Sequence, residues 1–124
     1  MITNVGKDEM FDAQFASTWY IGLIASEAVV SASDTMSSHA GWVEFTDYDG
    51  SRPVWDHLDS DNGVITDNTV ATIIATDIGT ITGIFLCSTS SGSSGTLFAI
   101  KLFLEPIEVA IGDTVQLPYT LTGV

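Results

Sequence analysis

The fold class is decided by the stretch TVQLPYTLT, which runs from Thr114 to Thr122. Its apolar side chains fall on one face of an extended chain: Val115, Leu117, Tyr119 and Leu121. A period of two is the signature of a β-strand that buries one face. Pro118 cannot donate a backbone hydrogen bond, so we expect this strand to lie at a sheet edge or to be bulged at the proline.

The same extended pattern recurs along the rest of the chain. Residues Phe15 to Ile24 are rich in aromatic and β-branched side chains, and alternation places Trp19, Ile21 and Leu23 on one face. Further strands are predicted at Val64 to Thr66, Val70 to Thr76, Thr80 to Ser88, Leu97 to Leu104 and Ile107 to Ala110. The Ser, Thr and Gly residues from Ser88 to Gly95 predict an exposed, mobile connection between two hairpin strands.

Helical signals are scarce. Asp34 could cap one short helical turn over residues 35–39, which Gly41 would end. We therefore predict an all-β fold, an antiparallel β-sandwich for which the jelly roll is one open topology. The sandwich is expected to span residues 13–124 as a single domain.

Residues 1–12 are expected to form an N-terminal arm outside this domain. The segment is polar and shows no sustained alternation, and it places Met10 and Phe11 beyond the charged residues 7–9. Such an arm could lie across a neighbouring subunit and become ordered there.

The charge balance limits the partners of this 124-residue chain. Sixteen acidic residues face only three cations, Lys7, Arg52 and Lys101, and the formal net charge is −13. Nucleic acids and anionic membranes are bound largely through Lys and Arg, so neither is expected as a partner. The apolar run from Val70 to Cys87 contains Asp77 near its centre, and it is predicted to form two strands rather than a membrane span.

Cys87 is the only cysteine, so no intrachain disulfide can form. It lies in an apolar run, where a buried thiol acts as a small hydrophobic side chain. The first twelve residues contain no apolar signal segment, which favours folding in a reducing cytoplasm.

Two groups of polar residues raise the question of a metal or catalytic site. The acidic segment from Asp56 to Asp67 resembles a calcium loop, but an EF-hand begun at Asp59 would have Val64 and Val70 where it needs glycine and glutamate. A solvated turn is favoured there over a calcium site. No cofactor is expected.

Nucleophilic catalysis could in principle use a serine with a histidine and a carboxylate. Ser37 or Ser38, with His39 and Asp34, supplies these residue types, but no nucleophile motif surrounds them. We expect His39 to pack at the end of the short turn, and we assign no catalytic residue.

The three tryptophans, Trp19, Trp42 and Trp55, could build a sugar-stacking platform, although packing within the domain or between subunits is favoured. Arg52 can grip a carboxylate with two parallel hydrogen bonds, and we predict that it pairs with Glu44. A local core of the three tryptophans is expected to support this ion pair.

One region carries a more specific pattern. It reads as WYxGL within Thr18 to Ile24, DTMxSHxGWxE over Asp34 to Glu44, an aromatic at Tyr48, and RP at Arg52 and Pro53. The pattern covers about residues 16–55, and it resembles that of small structural proteins of tailed bacteriophages. Within this class the resemblance points to the capsid decoration, or cement, proteins.

The resemblance implies a non-enzymatic virion protein that is assembled in the host cytoplasm and forms a β-rich homotrimer on the outer capsid surface. Its expected partners are other copies of the chain and the major capsid protein. A tail or baseplate component and a carbohydrate-binding β-sandwich module remain the alternatives. The structural or interface candidates are Trp19, Tyr20, Asp34, His39, Trp42, Glu44, Arg52, Trp55, Met10 and Phe11.

Overall fold

The computed structural model of the chain describes residues 1–123, which form two packed antiparallel β-layers and one helix. The elements are α1 (Asn4–Gln14), β1 (Tyr20–Ala25), β2 (Glu44–Phe45), β3 (Asp56–His57), β4 (Val64–Thr69), β5 (Ala71–Ile74), β6 (Gly79–Cys87), β7 (Leu97–Val109), β8 (Thr114–Leu117) and β9 (Thr120–Thr122). The first layer is a four-stranded sheet in the order β2-β1-β6-β7. The predicted all-β, sandwich-like fold is confirmed.

The second layer consists of two small antiparallel sheets, β3-β4-β9 and β5-β8, which are separated at Pro118. β4 pairs with β9, where Ile65 lies opposite Leu121, and β5 pairs with β8. The flanking β3 pairs with the other edge of β4. Pro118 breaks the ladder between β8 and β9, as expected of a residue without an amide hydrogen, while Tyr119 remains buried beside it.

The main core lies between the two layers. Trp19, Ile21 and Leu23 point into it from the first layer, which confirms the predicted face of β1. The alternating face of the last two strands closes the core from the second layer: Val115, Leu117, Tyr119 and the partly buried Leu121.

A second, smaller core covers the opposite face of the first sheet. Ile24, Phe85 and Cys87 pack there against Met36 and Trp42, which the long β1–β2 loop supplies. The strands β1 and β6 are therefore buried on both faces, and this explains why β6 is more continuously apolar than a half-exposed strand.

Residues 35–39 do not form a helical turn, and that prediction is wrong. Thr35 and Ser38 instead exchange two backbone hydrogen bonds, with N–O distances of 2.9 and 3.2 Å. The Asp34 carboxylate accepts from the Ser31 amide at 2.9 Å rather than from the following turn. Short polar side chains compete with helix formation in this way because they bind nearby backbone groups.

The helix lies instead in the N-terminal segment that was predicted to be an arm. Thr3 caps α1 by accepting from the Gly6 amide at 3.1 Å, and the helix runs to Gln14, so β1 starts at Tyr20 rather than at Phe15. It contains 11 residues and is the only helix among residues 1–123, and it is too short and polar to cross a membrane.

A carboxylate holds α1 against the domain of its own chain. Asp8 accepts hydrogen bonds from the Ser60 hydroxyl at 2.6 Å, the Gly63 amide at 2.7 Å and the Asn62 amide at 3.2 Å. These hydrogen bonds hold the pKa of Asp8 below its usual value of 3.8, and the bond from Ser60 has the largest effect. The segment 1–12 therefore has a binding position on its own chain, which its sequence alone did not indicate.

We expect the attachment of α1 to be acid-sensitive. Because the folded-state pKa of Asp8 is lowered, its contribution is complete above pH 3.8 and is lost as the pH falls through the lowered value. In NMR spectra recorded from neutral pH down to about pH 2, the α1 signals should shift toward unfolded values before those of β6. An Asp8→Asn variant should show the same loosening already at neutral pH. Unchanged α1 signals in both experiments would contradict the Asp8 attachment.

Gly22 allows Phe85 to lie across β1. A Cβ atom at Gly22 would overlap the Phe85 ring, which is itself 1% exposed and cannot move aside. We expect Gly22→Ala to lower the free energy of unfolding by about 1–3 kcal/mol, the usual cost of overpacking a core. Gly6→Ala is the matched control: its Cβ would lie 3.3 Å from the exposed Thr3 side chain, which can move, so the change in the same urea titration should stay below about 1 kcal/mol. Equal stabilities of the two variants would contradict this packing.

Candidate functional site: the Arg52 cluster and the free edge of strand β7

Arg52 is buried in the loop after β2, with 4% of its surface exposed. Its Nε and Nη2 each donate to one carboxylate oxygen of Glu44 at 2.7 Å, so the predicted two-pronged ion pair is confirmed. Nη1 donates to the carbonyl and the hydroxyl of Thr89 at 2.9 and 3.2 Å, and Nη2 also donates to the Gly92 carbonyl at 2.6 Å. The β6–β7 loop, which its composition predicts to be mobile, is thus fastened to Arg52.

These contacts leave the guanidinium no capacity for a ligand. A guanidinium has five N–H donors, and the five hydrogen bonds to Glu44, Thr89 and Gly92 use all of them. The group also lies 5.3 Å from the centre of the Phe85 ring, in cation–π contact. Arg52 therefore acts as a structural clamp between β2 and the β6–β7 loop rather than as an anion-binding residue.

Two titratable groups near the clamp are held in their neutral forms. Burial, with a smaller effect of Glu44, raises the pKa of Tyr48 to about 12. Burial likewise raises the pKa of the Cys87 thiol, which is 0% exposed and donates to the Thr89 carbonyl at 3.3 Å. A protonated and inaccessible thiol is not a nucleophile, in agreement with the inert role predicted from the sequence.

Asp34, His39 and Trp42 form a second cluster from the sequence pattern. The indole Nε1 of Trp42 donates to Asp34 Oδ2 at 3.1 Å. The His39 ring stacks on Trp42 at 3.7 Å between centroids, and its Nδ1 lies 2.9 Å from the Trp42 carbonyl oxygen. His39 therefore packs on Trp42 rather than at the end of a helix, and Asp34 orients the indole instead of a catalytic histidine.

The other two tryptophans belong to the main core, and the predicted common core of all three is wrong. Trp55 donates to Asp67 Oδ1 at 2.9 Å, while the other oxygen of Asp67 accepts from the Tyr119 amide at 2.6 Å. Trp19 donates to the Gln14 carbonyl at 3.1 Å, which ties β1 to the end of α1. All three indoles are only 2–4% exposed, so none offers a face for sugar stacking.

The remaining candidates are spread over the surface rather than gathered at one site. Tyr20 is half-buried against the second core and forms a backbone bridge with Val54. On α1, Met10 is 58% exposed, whereas Phe11 is half-buried 6.1 Å from the Phe15 ring. Within residues 1–123, no three His, Cys, Asp or Glu side chains converge as metal ligands would.

The outer edge of β7 carries several exposed apolar side chains, which sequence reasoning did not single out. This 13-residue strand pairs with β6 on one side, and its other side forms the edge of the sheet. The sequence predicted two separate strands here, whereas the structure has one strand with a bulge. Its exposed apolar side chains, with their exposed fractions, are Leu102 (39%), Leu104 (104%) and Ile107 (36%). Phe98 is 38% exposed, but its ring packs edge-to-face against Phe15 and Trp19, with centroids 4.9 and 5.6 Å apart.

The bulge determines what this edge presents to solvent. Ile81 pairs with Ile107 and Gly83 with Leu102, so residues 103–106 lie opposite Thr82 alone. Extra residues on one strand bend it and leave part of it unpaired. The sequence signal is Pro106, since a proline within a strand favours an edge or a bulge, but only the strand order shows that this segment lies at an edge.

Comparison with protein-family models, with curated proteins and with solved structures finds no match to this chain. The likeness to phage structural proteins thus rests on the sequence pattern. The structure shows the role of the residues in that pattern: most of them are packed in the two cores or bound within the Arg52 cluster.

The Arg52 clamp predicts a graded loss of stability on substitution. Arg52→Ala leaves the Glu44 carboxylate unpaired and should lower the free energy of unfolding by about 3–5 kcal/mol. Arg52→Lys keeps the charge but not the planar fork, so its loss should be intermediate. Glu9→Ala, which removes an exposed charge on α1, is the control and should stay within about 0.5 kcal/mol in chemical denaturation. Small and equal effects of both Arg52 variants would show that the clamp is not important for stability.

Proposed function

We propose that this chain is a non-enzymatic structural protein of a tailed-bacteriophage virion, a decoration protein that binds the outer capsid lattice and stabilises it. The observation that carries the proposal is the long apolar edge of β7, on which Leu104 is completely exposed. Unpaired edges and exposed apolar side chains are features through which proteins associate. The pattern within residues 16–55 supports the choice of a phage protein.

The charge of the chain supports an outer position. A net charge of −13 repels packaged nucleic acid and favours a partner with basic groups near its docking surface. Self-association, which we propose to give a homotrimer, must bury enough apolar surface to overcome the repulsion between subunits. A tail or baseplate position is the second candidate, because the same apolar edge would also serve assembly there.

The test is binding to undecorated heads of the phage that encodes the chain. We expect the protein to sediment with the heads and Leu104→Asp to reduce the bound fraction at least tenfold, since a buried charge has no partner at an apolar contact. Val29→Asp, at another largely exposed apolar position, is the matched control and should bind normally.

Salt separates the apolar from the electrostatic part of this binding. Raising the salt concentration to about 0.5 M screens exposed charges and should weaken only the rim of the contact. Complete loss of binding at that salt concentration would show that charge holds the protein on the shell. Absence of the chain from purified virions by mass spectrometry would overturn the proposed function itself.

A further inference from the structure

A short self-complementary sequence lies at the free edge of β7. Residues Lys101 to Glu105 read KLFLE, with opposite charges at the ends, leucines inside them and Phe103 at the centre. When two such segments run antiparallel with Phe103 opposite its own copy, Lys101 faces Glu105 of the partner subunit, and the reverse pair forms as well. Leu102 then faces Leu104 of the partner subunit.

The structure leaves this segment accessible. Lys101 and Glu105 are exposed, Leu104 is fully exposed, and Phe103 is half-buried with its ring against the main core. The ion pair of Glu44 with Arg52 is the only one among residues 1–123. Lys101 therefore has no carboxylate of its own chain within 4.0 Å in this part of the structure.

The bulge and the proline confine any pairing at this edge to a short contact. Residues 103–106 leave the ladder with β6, and Pro106 has no amide hydrogen to donate to a new strand. Both features are devices that stop an edge strand from pairing without limit. A short contact between two copies, closed by a two-fold axis, is compatible with the bulge and the proline, whereas a continuous sheet through many copies is not.

We infer that two copies of this chain associate through residues 101–105 of β7, antiparallel and about a two-fold axis at Phe103. Two lysine–glutamate pairs flank an apolar centre in this contact. This pairing rests on the proposed function and deepens it: on the capsid, residues 101–105 contact a neighbouring copy of the chain, and loss of that pairing is what weakens head binding by Leu104→Asp. The contact is separate from the three-fold contact of the proposed homotrimer and joins one trimer to the next.

The overall charge weakens this pairing, and the local charge pairs determine its register. Each copy carries a net charge of −13, so two copies repel one another at long range. A contact of five residues on each copy is smaller than the roughly 1,200 Å² that stable interfaces bury. We therefore expect association that depends on concentration, with the two local charge pairs setting the register.

Charge exchange provides the test. Lys101→Glu places two glutamates opposite each other, and Glu105→Lys places two lysines opposite each other, so both variants should lose the contact. The double variant Lys101→Glu/Glu105→Lys restores opposite charges and should regain it. In sedimentation equilibrium from about 10 μM to about 1 mM, the limiting mass of each single variant should be half that of the wild-type and double-variant proteins.

Glu105→Lys separates the local pairing from the overall charge. It changes the net charge from −13 to −11 (−13 + 2), which weakens general repulsion and would strengthen a contact governed by repulsion alone. Our register predicts the opposite result. Glu108→Lys makes the same change in net charge on the same strand but lies outside residues 101–105, so it is the matched control and should keep the wild-type mass.

Cysteine cross-linking tests the register directly. A mixture of Leu102→Cys and Leu104→Cys proteins should form an intersubunit disulfide at least fivefold faster than either variant alone, because only the mixture brings the two thiols directly opposite each other. Cys87 is fully buried and gives no background.

Three outcomes would overturn the two-fold contact: a wild-type monomer or trimer that no charge variant changes, a double variant that is not restored, or cross-linking that is equal in the mixture and the single variants. Head binding by the same variants is a separate measurement. Variants that do not pair but still bind heads would contradict the two-fold contact and leave the proposed function intact. A protein that pairs but does not bind heads would contradict the proposed function and leave the two-fold contact intact.

Discussion

The buried guanidinium of Arg52 is the interaction on which the second core depends. A charge removed from water is tolerated only when its hydrogen bonds are complete, and Glu44 together with two residues of the β6–β7 loop completes them. The group also covers the Phe85 ring, which in turn lies over Gly22. One side chain thus fixes the end of β2, the connection from β6 to β7 and the packing across β1. The start of β7 is positioned through this loop.

The residues that look most distinctive in the sequence are therefore scaffold residues. Trp42 is oriented by Asp34 and covered by His39, and Trp55 is held by Asp67. Indoles with satisfied N–H groups and almost no exposed surface contribute rigidity. Strand β7 lies at the opposite edge of the sheet from β2. We therefore propose that the motif is a rigid scaffold and that the protein associates through the edge of β7.

Local patterns predicted the parts of the fold that local physics determines. Alternation identified the buried face of β8 and β9, the missing amide of Pro118 located the break between them, and the scarcity of cations pointed to the Glu44–Arg52 pair. The helix was missed because none of its residues is fully buried and because Asp8 binds a loop more than fifty positions away. Asp34 was misread since a short carboxylate can cap a helix or close a turn, and tertiary contact with Trp42 decides between them. The edge position of β7 depends on strand order, which no local pattern encodes.

Hydrogen–deuterium exchange of the dilute and the concentrated protein tests this separation most directly, because it reports protection at each backbone amide in the intact chain. We expect amides around residues 101–105 to become protected on association. Amides of β6 and of the Arg52 cluster should exchange slowly in both states, with no change between them. Protection that appears instead in the β1–β2 loop around Trp42, with an unchanged β7 edge, would contradict the account, since the motif itself would then be the associating surface.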